Sequence, residues 1–272
     1  MQGIPSFPTI LPGGMVLELP KVVILILGSA LVFLAGYFAG WTALTPSPPA
    51  DQDLLYQVST YTALAGGGYD PVEPVGALMK NGDLGLGTFT GLDGEMVVVD
   101  GTCYQVKSDG VARPADPVLG VPFGGVTFFS PDLSLPGIIA ANMTELTGEL
   151  DMHIPSRDVF YAIRIDGMFP YVKARSVPAQ GKPYPPLADA LSGQTIFEWR
   201  NVTGTVAGFY TPAYAAGMSV PGYHLHFITS DRSRGGHVLD ITTKGNTVEL
   251  DATPHLTVIL PAGGDHPSST KH

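Results

Sequence analysis

The run Gly222-Tyr223-His224-Leu225-His226-Phe227 is followed, after a polar turn, by Gly235-Gly236-His237. His224 and His226 stand two apart in an apolar and aromatic stretch, so if that stretch is a strand both imidazoles leave the same face of it. Between the two runs, Thr229-Ser230-Asp231-Arg232-Ser233-Arg234 has turn composition, and His237-Val238-Leu239-Asp240-Ile241 reads as a strand running back. A hairpin of this kind can bring three neutral nitrogens to one point with a coordination position left over, which is how catalytic zinc is commonly held. The competing reading is three ordinary sheet histidines satisfied by backbone groups, and spacing alone permits either.

Other groups able to do chemistry are sparse. Glu95 opens the apolar run Glu95-Met96-Val97-Val98-Val99, a position where a carboxylate is usually solvated. Residues 157–165 alternate as a strand, turn at Asp166-Gly167 and return through Tyr171-Val172-Lys173-Ala174-Arg175, so Arg164 and Arg175 are expected on opposite arms of one hairpin. Cys103 is the only cysteine, which excludes an intrachain disulfide and any Cys-based zinc site.

The elements that must position these groups are short. Charged residues make up 14% of the 272, while Gly 34 and Pro 25 accompany 44% hydrophobic content, a turn-rich globular composition that favours sheet over helix. A net charge of -10 with no basic stripe excludes a nucleic-acid backbone as partner. Asp93-Gly94 and Asp100-Gly101 bracket one apolar strand as successive hairpin turns. Asp70-Pro71, with Val72, Val75, Leu78 and Met79 behind it and Asn81-Gly82 after, predicts a helix over 70–81. A short helix is expected at 187–191, sheet over 196–210, and further strands at 247–250 and 255–260.

Residues 22–44 are uncharged and mostly apolar, long enough for a bilayer that needs about 20 helical residues. An anchor or a cleaved signal both fit, and the charge bias around the segment places the larger domain outside the cytoplasm, membrane-anchored or secreted. The fold class expected is α+β and sheet-rich, with two mixed β-sheet subdomains, few short helices and one N-terminal transmembrane or signal helix. Its organisation is a tail over 1–21, the apolar segment over 22–44, a Pro-rich tether over 45–53, a β-rich subdomain over 54–155 and a metal-binding β-rich subdomain over 156–272.

From about Tyr56 to Pro261 the chain closely resembles the alpha-acetolactate decarboxylase family. The blocks that carry the resemblance include Gln57-Val58-Ser59-Thr60, Asn81-Gly82-Asp83-Leu84-Gly85-Leu86-Gly87-Thr88-Phe89, Leu92-Asp93-Gly94-Glu95-Met96, Arg175-Ser176-Val177-Pro178, Lys182-Pro183-Tyr184-Pro185-Pro186-Leu187 and the two histidine runs. The resemblance implies that His224, His226 and His237 ligate Zn2+, that Glu95 is an active-site glutamate and that Arg175, rather than Arg164, faces substrate. It further implies decarboxylation of 2-acetolactate to acetoin and carbon dioxide, the metal chelating the ketone and hydroxyl oxygens and stabilising the enediolate. The family's second, C-terminal glutamate has no counterpart here, since no glutamate follows Glu249; Asp265 is a stand-in, with His266 a weaker one. Besides the small-molecule substrate, the partners expected are the membrane through residues 22–44 and a second copy of the chain as a homodimer. The competing readings are a zinc-dependent hydrolase and a membrane-tethered protein whose zinc is structural.

Overall fold

The computed structural model describes residues 53–261. The apolar segment 22–44, the tail before it, tether residues 45–52, and Asp265 and His266 lie outside the described residues. Among the described residues no helix is long and apolar enough to cross a membrane.

In chain order the elements are β1 (Leu54–Val58), α1 (Tyr61–Ala65), β2 (Glu73–Pro74), α2 (Val75–Leu78), β3 (Leu84–Thr88), β4 (Glu95–Val99), β5 (Thr102–Val106), β6 (Ala112–Pro114), β7 (Gly120–Val121), β8 (Phe123–Thr127) and β9 (Leu133–Ala140). There follow α3 (Met143–His153), β10 (Phe160–Ser176), α4 (Leu187–Ala190), β11 (Thr195–Thr211), β12 (Gly222–Thr229), β13 (Gly235–Thr253) and β14 (His255–Ile259). One sheet has the order β14-β1-β8-β3-β4-β5-β6 and a second the order β10-β11-β12-β13-β9, while β2 and β7 form a small ribbon. The first sheet is mixed because β14 runs parallel to β1. The second, expected to be mixed as well, is antiparallel throughout, since its successive strands follow one another through reversals of the chain. β13 also pairs with β10, so β10 to β13 close on themselves with the β12–β13 ladder as the seam.

Period-two alternation decides what each sheet buries. On β4, Val97 and Val99 face the second sheet and pack with Leu86, Ala162, Ala207, Phe209 and Ile228, whereas Met96 and Val98 join the cluster on the far side with Leu78. In the second sheet, Ile163, Val206, Leu225, Phe227 and Val248 pack against Leu146 and Leu150 of α3. Burial of a side chain such as Phe227 stabilises by about 1.5–3 kcal/mol relative to exposure. The two-residue turn Asp100-Gly101, both residues at positive φ, gives the hairpin β4–β5.

Three expectations are corrected. The helix over 70–81 shrinks to Val75–Leu78, because Pro74 drives Glu73 into extended backbone, where it pairs with Val121. The hairpin expected at Asp166-Gly167 does not form: β10 runs through Gly167 paired with β11 on one side and with β13 on the other over most of its length, so Arg164 and Arg175 share one strand. The separate strand expected at 247–250 is the continuation of β13, which absorbs Gly245 (φ 85) as a bulge.

Asp251, with 0% exposure, bonds the Ser130 N–H through Oδ2, but its Oδ1 has no partner. Burial lifts its carboxyl to about 7, the Ser130 bond opposes this, and Asp132, Asp53 and Asp83 add to it. A raised acid holds its proton longer in the folded than in the unfolded chain, so stability is fully present below about pH 4 and is lost as pH rises through 7, by at most about 4 kcal/mol. Thermal melts of wild type and Asp251→Asn between pH 5 and 8 test this: the wild-type midpoint falls with pH and the variant's stays flatter. Parallel curves would refute it.

Candidate metal centre and active site

β12 owes its side-chain arrangement to alternation. Leu225 and Phe227 enter the core beside α3, which leaves His224, His226 and Ile228 on the face toward the first sheet. The β12–β13 ladder places His237 directly opposite His226, and the β10–β13 ladder places it opposite Arg175. Gly235-Gly236 permits the close seam. A Cβ on Gly236, whose φ is 151, would lie 2.6 Å from the Arg175 carbonyl oxygen, and one on Gly235 would lie 2.4 Å from that of Phe227.

The three imidazoles converge. His237 Nδ1 lies 3.2 Å from His224 Nε2 and 3.2 Å from His226 Nε2, and one ligand atom from each residue falls within 4.8 Å of the others. Three nitrogens each about 2.05 Å from one tetrahedral ion would be about 3.3 Å apart, so the set fits a zinc-sized cation. His226 Nδ1 is 2.7 Å from the Met96 carbonyl oxygen, which can only accept, so this nitrogen carries the proton and Nε2 presents its lone pair to the centre. Burial, then the charge of Arg175, pushes His224 down to about 3. His226 and His237 are likewise held well below the ordinary range, burial leading in both. All three are therefore neutral near pH 7, the form that ligates.

Glu95 reaches the same place from the first residue of β4, on the face it shares with Val97 and Val99. It is 6% exposed, its Oε1 accepts from Arg175 Nη1 at 3.3 Å, and its Oε2 lies 3.6 Å from His226 Nε2. Burial raises its carboxyl to about 7 against the lowering influence of Arg175. Arg164 is committed elsewhere, bonding Asp100 at 2.8 Å and also Asp166. Both arginines nevertheless face the first sheet. Pro170 and Asn201 (φ 50) drop out of the β10–β11 ladder, and this irregularity reverses the facing of the residues beyond it. One arginine thus meets each end of β4.

A cavity of about 210 Å³ opens onto all three histidines, Glu95 and Arg175. Its remaining wall is largely apolar, from Leu64 on α1, Leu187 on α4, Leu191 just beyond it, and Leu92, Phe123 and Val177. Among the described residues the metal-capable cluster has three members, and the cavity opens onto all of them. Of the residues singled out in the sequence, His224, His226, His237, Glu95 and Arg175 meet here, whereas Arg164 does not and Asp265 and His266 lie outside the described residues. The apolar wall was not foreseen, because its members come from separated segments that share no spacing.

The family profile of alpha-acetolactate decarboxylase matches residues 55–270. The chain belongs to the alpha-acetolactate decarboxylase family. An alpha-acetolactate decarboxylase of Methanosarcina mazei is 53% identical over 213 residues, covering 78% of this chain and 74% of that one. One from Bacillus subtilis is 45% identical over 78% of this chain and 83% of its own. The crystal structure of the enzyme from Bacillus subtilis strain 168 superposes with a TM-score of 0.76 at 42% identity, covering 80% of this chain and 93% of that one. Like its relatives in the family, this chain is read as a carboxy-lyase, and its geometry bears on how such a reaction would run.

Proposed function

We propose that the protein decarboxylates 2-acetolactate to acetoin and carbon dioxide with a zinc ion held by His224, His226 and His237. The observation that carries this reading is the convergence of those imidazoles, Glu95 and Arg175 on a single apolar-walled cavity. A divalent cation held by these residues would supply a Lewis acid to the substrate's oxygens, above all to the ketone oxygen, into which the electrons of the breaking C–C bond move.

The chain's own residues do the rest. Arg175, with a planar guanidinium of which one nitrogen is engaged by Glu95, binds the substrate carboxylate and holds the bond to be broken in the cavity. Leu64, Leu187 and Leu191 keep bulk water from the carbon that acquires negative charge, which strengthens each charge interaction inside. Glu95, its carboxyl raised by burial to about 7, is about half protonated at neutral pH, and that proton goes to one face of the enediolate carbon, so that a single enantiomer of acetoin forms. Attachment to a membrane through residues 22–44, with this site outside the cytoplasm, and pairing into a homodimer accompany the reading as further proposals.

The test is chelation. The purified protein should carry about one divalent ion per chain, release acetoin from 2-acetolactate, lose that activity to a chelator and regain it with Zn2+. A metal-free protein of undiminished activity, or one that hydrolyses esters and forms no acetoin, would overturn the proposal.

A further inference from the structure

Gln57 lies on β1, a strand that supplies none of the converging imidazoles, and is 2% exposed. Its carboxamide is fully engaged. Nε2 donates to the carbonyl oxygens of Ser59 and Met218, each at 2.8 Å, and Oε1 accepts from the Ser219 hydroxyl. Met218 and Ser219 belong to the loop 212–221 that joins β11 to β12. The backbone N–H groups of Tyr61 and Thr62 also bond this loop, at Met218 (2.9 Å) and Gly217 (2.8 Å).

Beyond Ser219 the chain passes directly into the site. Val220 lines the reaction cavity, Gly222 turns the chain at φ 79, and His224 comes two residues later. A second cavity of only about 20 Å³ is bounded by Gln57, Ser219, Val220 and His224. That is room for about one water molecule, so the loop has little slack to move against the histidine. His226 is oriented by the Met96 carbonyl. His224 itself is paired with Phe209 in the β11–β12 ladder, and ahead of that ladder the loop is held by Gln57, by the Thr62 hydroxyl and by the α1 backbone.

We propose that Gln57, through Ser219 and Met218, is a positioning residue of the metal centre: it fixes the loop that sets the place of His224 and of the Val220 wall. This rests on the reading of the three histidines as metal ligands. A buried glutamine with a merely structural role would alter thermal stability and leave the metal's surroundings untouched. A positioning residue alters the affinity and the geometry at the ion; groups bonded directly to a ligand change metal affinity or activity about 10–100-fold, and Gln57, which reaches His224 only through its loop, is expected at the low end of that range.

The full-length protein carrying Gln57→Leu, which keeps the side chain's approximate volume, and separately Ser219→Ala, is titrated with Zn2+ in competition with a chelator. Each is also loaded with Co2+ for its absorption spectrum, and kcat and KM are measured at saturating metal. Gln57→Leu is expected to bind Zn2+ at least about tenfold more weakly, to shift the Co2+ bands and to lose kcat more than KM. Ser219→Ala should move the same way by a smaller factor, and because it leaves β1 intact it decides the matter if Gln57→Leu does not fold. Wild-type Zn2+ affinity and Co2+ spectrum in the folded variants, whatever their melting temperature, would overturn the inference. Failure of the decarboxylase reading is separate: it shows as wild-type protein that forms no acetoin, with the metal titrations still interpretable.

Discussion

His226→Ala should bind Zn2+ at least about 100-fold more weakly than wild type and form acetoin at a few per cent of its rate or less, an effect at the upper end expected when a metal site loses a coordinating partner. Of the three histidines His226 is the most deeply placed, at 1% exposure, and it alone joins the centre to the backbone of the first sheet, through Met96. Truncation removes one nitrogen from the set and also the hydrogen bond from His226 Nδ1 to the Met96 carbonyl oxygen, which contributes about 0.5–1.5 kcal/mol to stability. Metal content per chain and acetoin formation should fall together while circular dichroism still reports a folded sheet. Burial gives this result a pH companion. Free imidazoles lose metal as they protonate near pH 6.5, but His224 is held down to about 3 and the other two well below the ordinary range, so wild-type protein should keep its ion at pH 5. Stoichiometric metal and normal turnover in His226→Ala would refute the assignment.

The same alternation made much of this site legible from the chain. His224 and His226 at a two-residue interval, Gly235-Gly236 before His237, and the two Asp-Gly turns around β4 are local patterns whose consequences come from backbone geometry. Glu95 was not legible that way. Its strand position suggested solvation, and only the packing of β4 against the second sheet turns that carboxyl into a buried one beside Arg175. Alternation could not choose between the arginines either; the family resemblance picked Arg175, and the tertiary structure gives the physical reason. Eleven residues apart on one strand, Arg164 and Arg175 should point oppositely, and it is the paired irregularity at Pro170 and Asn201 that brings both to the first sheet. The Met96 carbonyl that orients His226 carries no side-chain signature at all. α3, by contrast, was overlooked despite an available signal. Asn142 caps its first turn by accepting from the Glu145 N–H at 2.9 Å, and Glu145 reaches back to the Ala141 N–H, the reciprocal pattern that marks a helix start.

Arg175→Met should leave the metal in place and lower kcat by about 100-fold or more, the size expected when the group that holds the substrate carboxylate, and with it the bond to be broken, is lost. None of the three histidines depends on Arg175 for a hydrogen bond, and its positive charge opposes a dication beside it, so Zn2+ affinity should be unchanged or somewhat higher. Arg175→Lys keeps the charge but loses the planar fork and should fall between the two. The variant also tests the Glu95 partnership. Arg175 is the one influence that lowers the Glu95 carboxyl while burial lifts it, so removing the guanidinium should raise it further above 7. If Glu95 must be protonated to deliver its proton, the residual activity of Arg175→Met should persist to higher pH than wild-type activity, whose alkaline limb lies at lower pH. A variant that loses its ion along with its turnover would place Arg175 in the support of the metal rather than against the substrate, and a pH profile shifted the opposite way would remove Glu95 from the proton-delivery role.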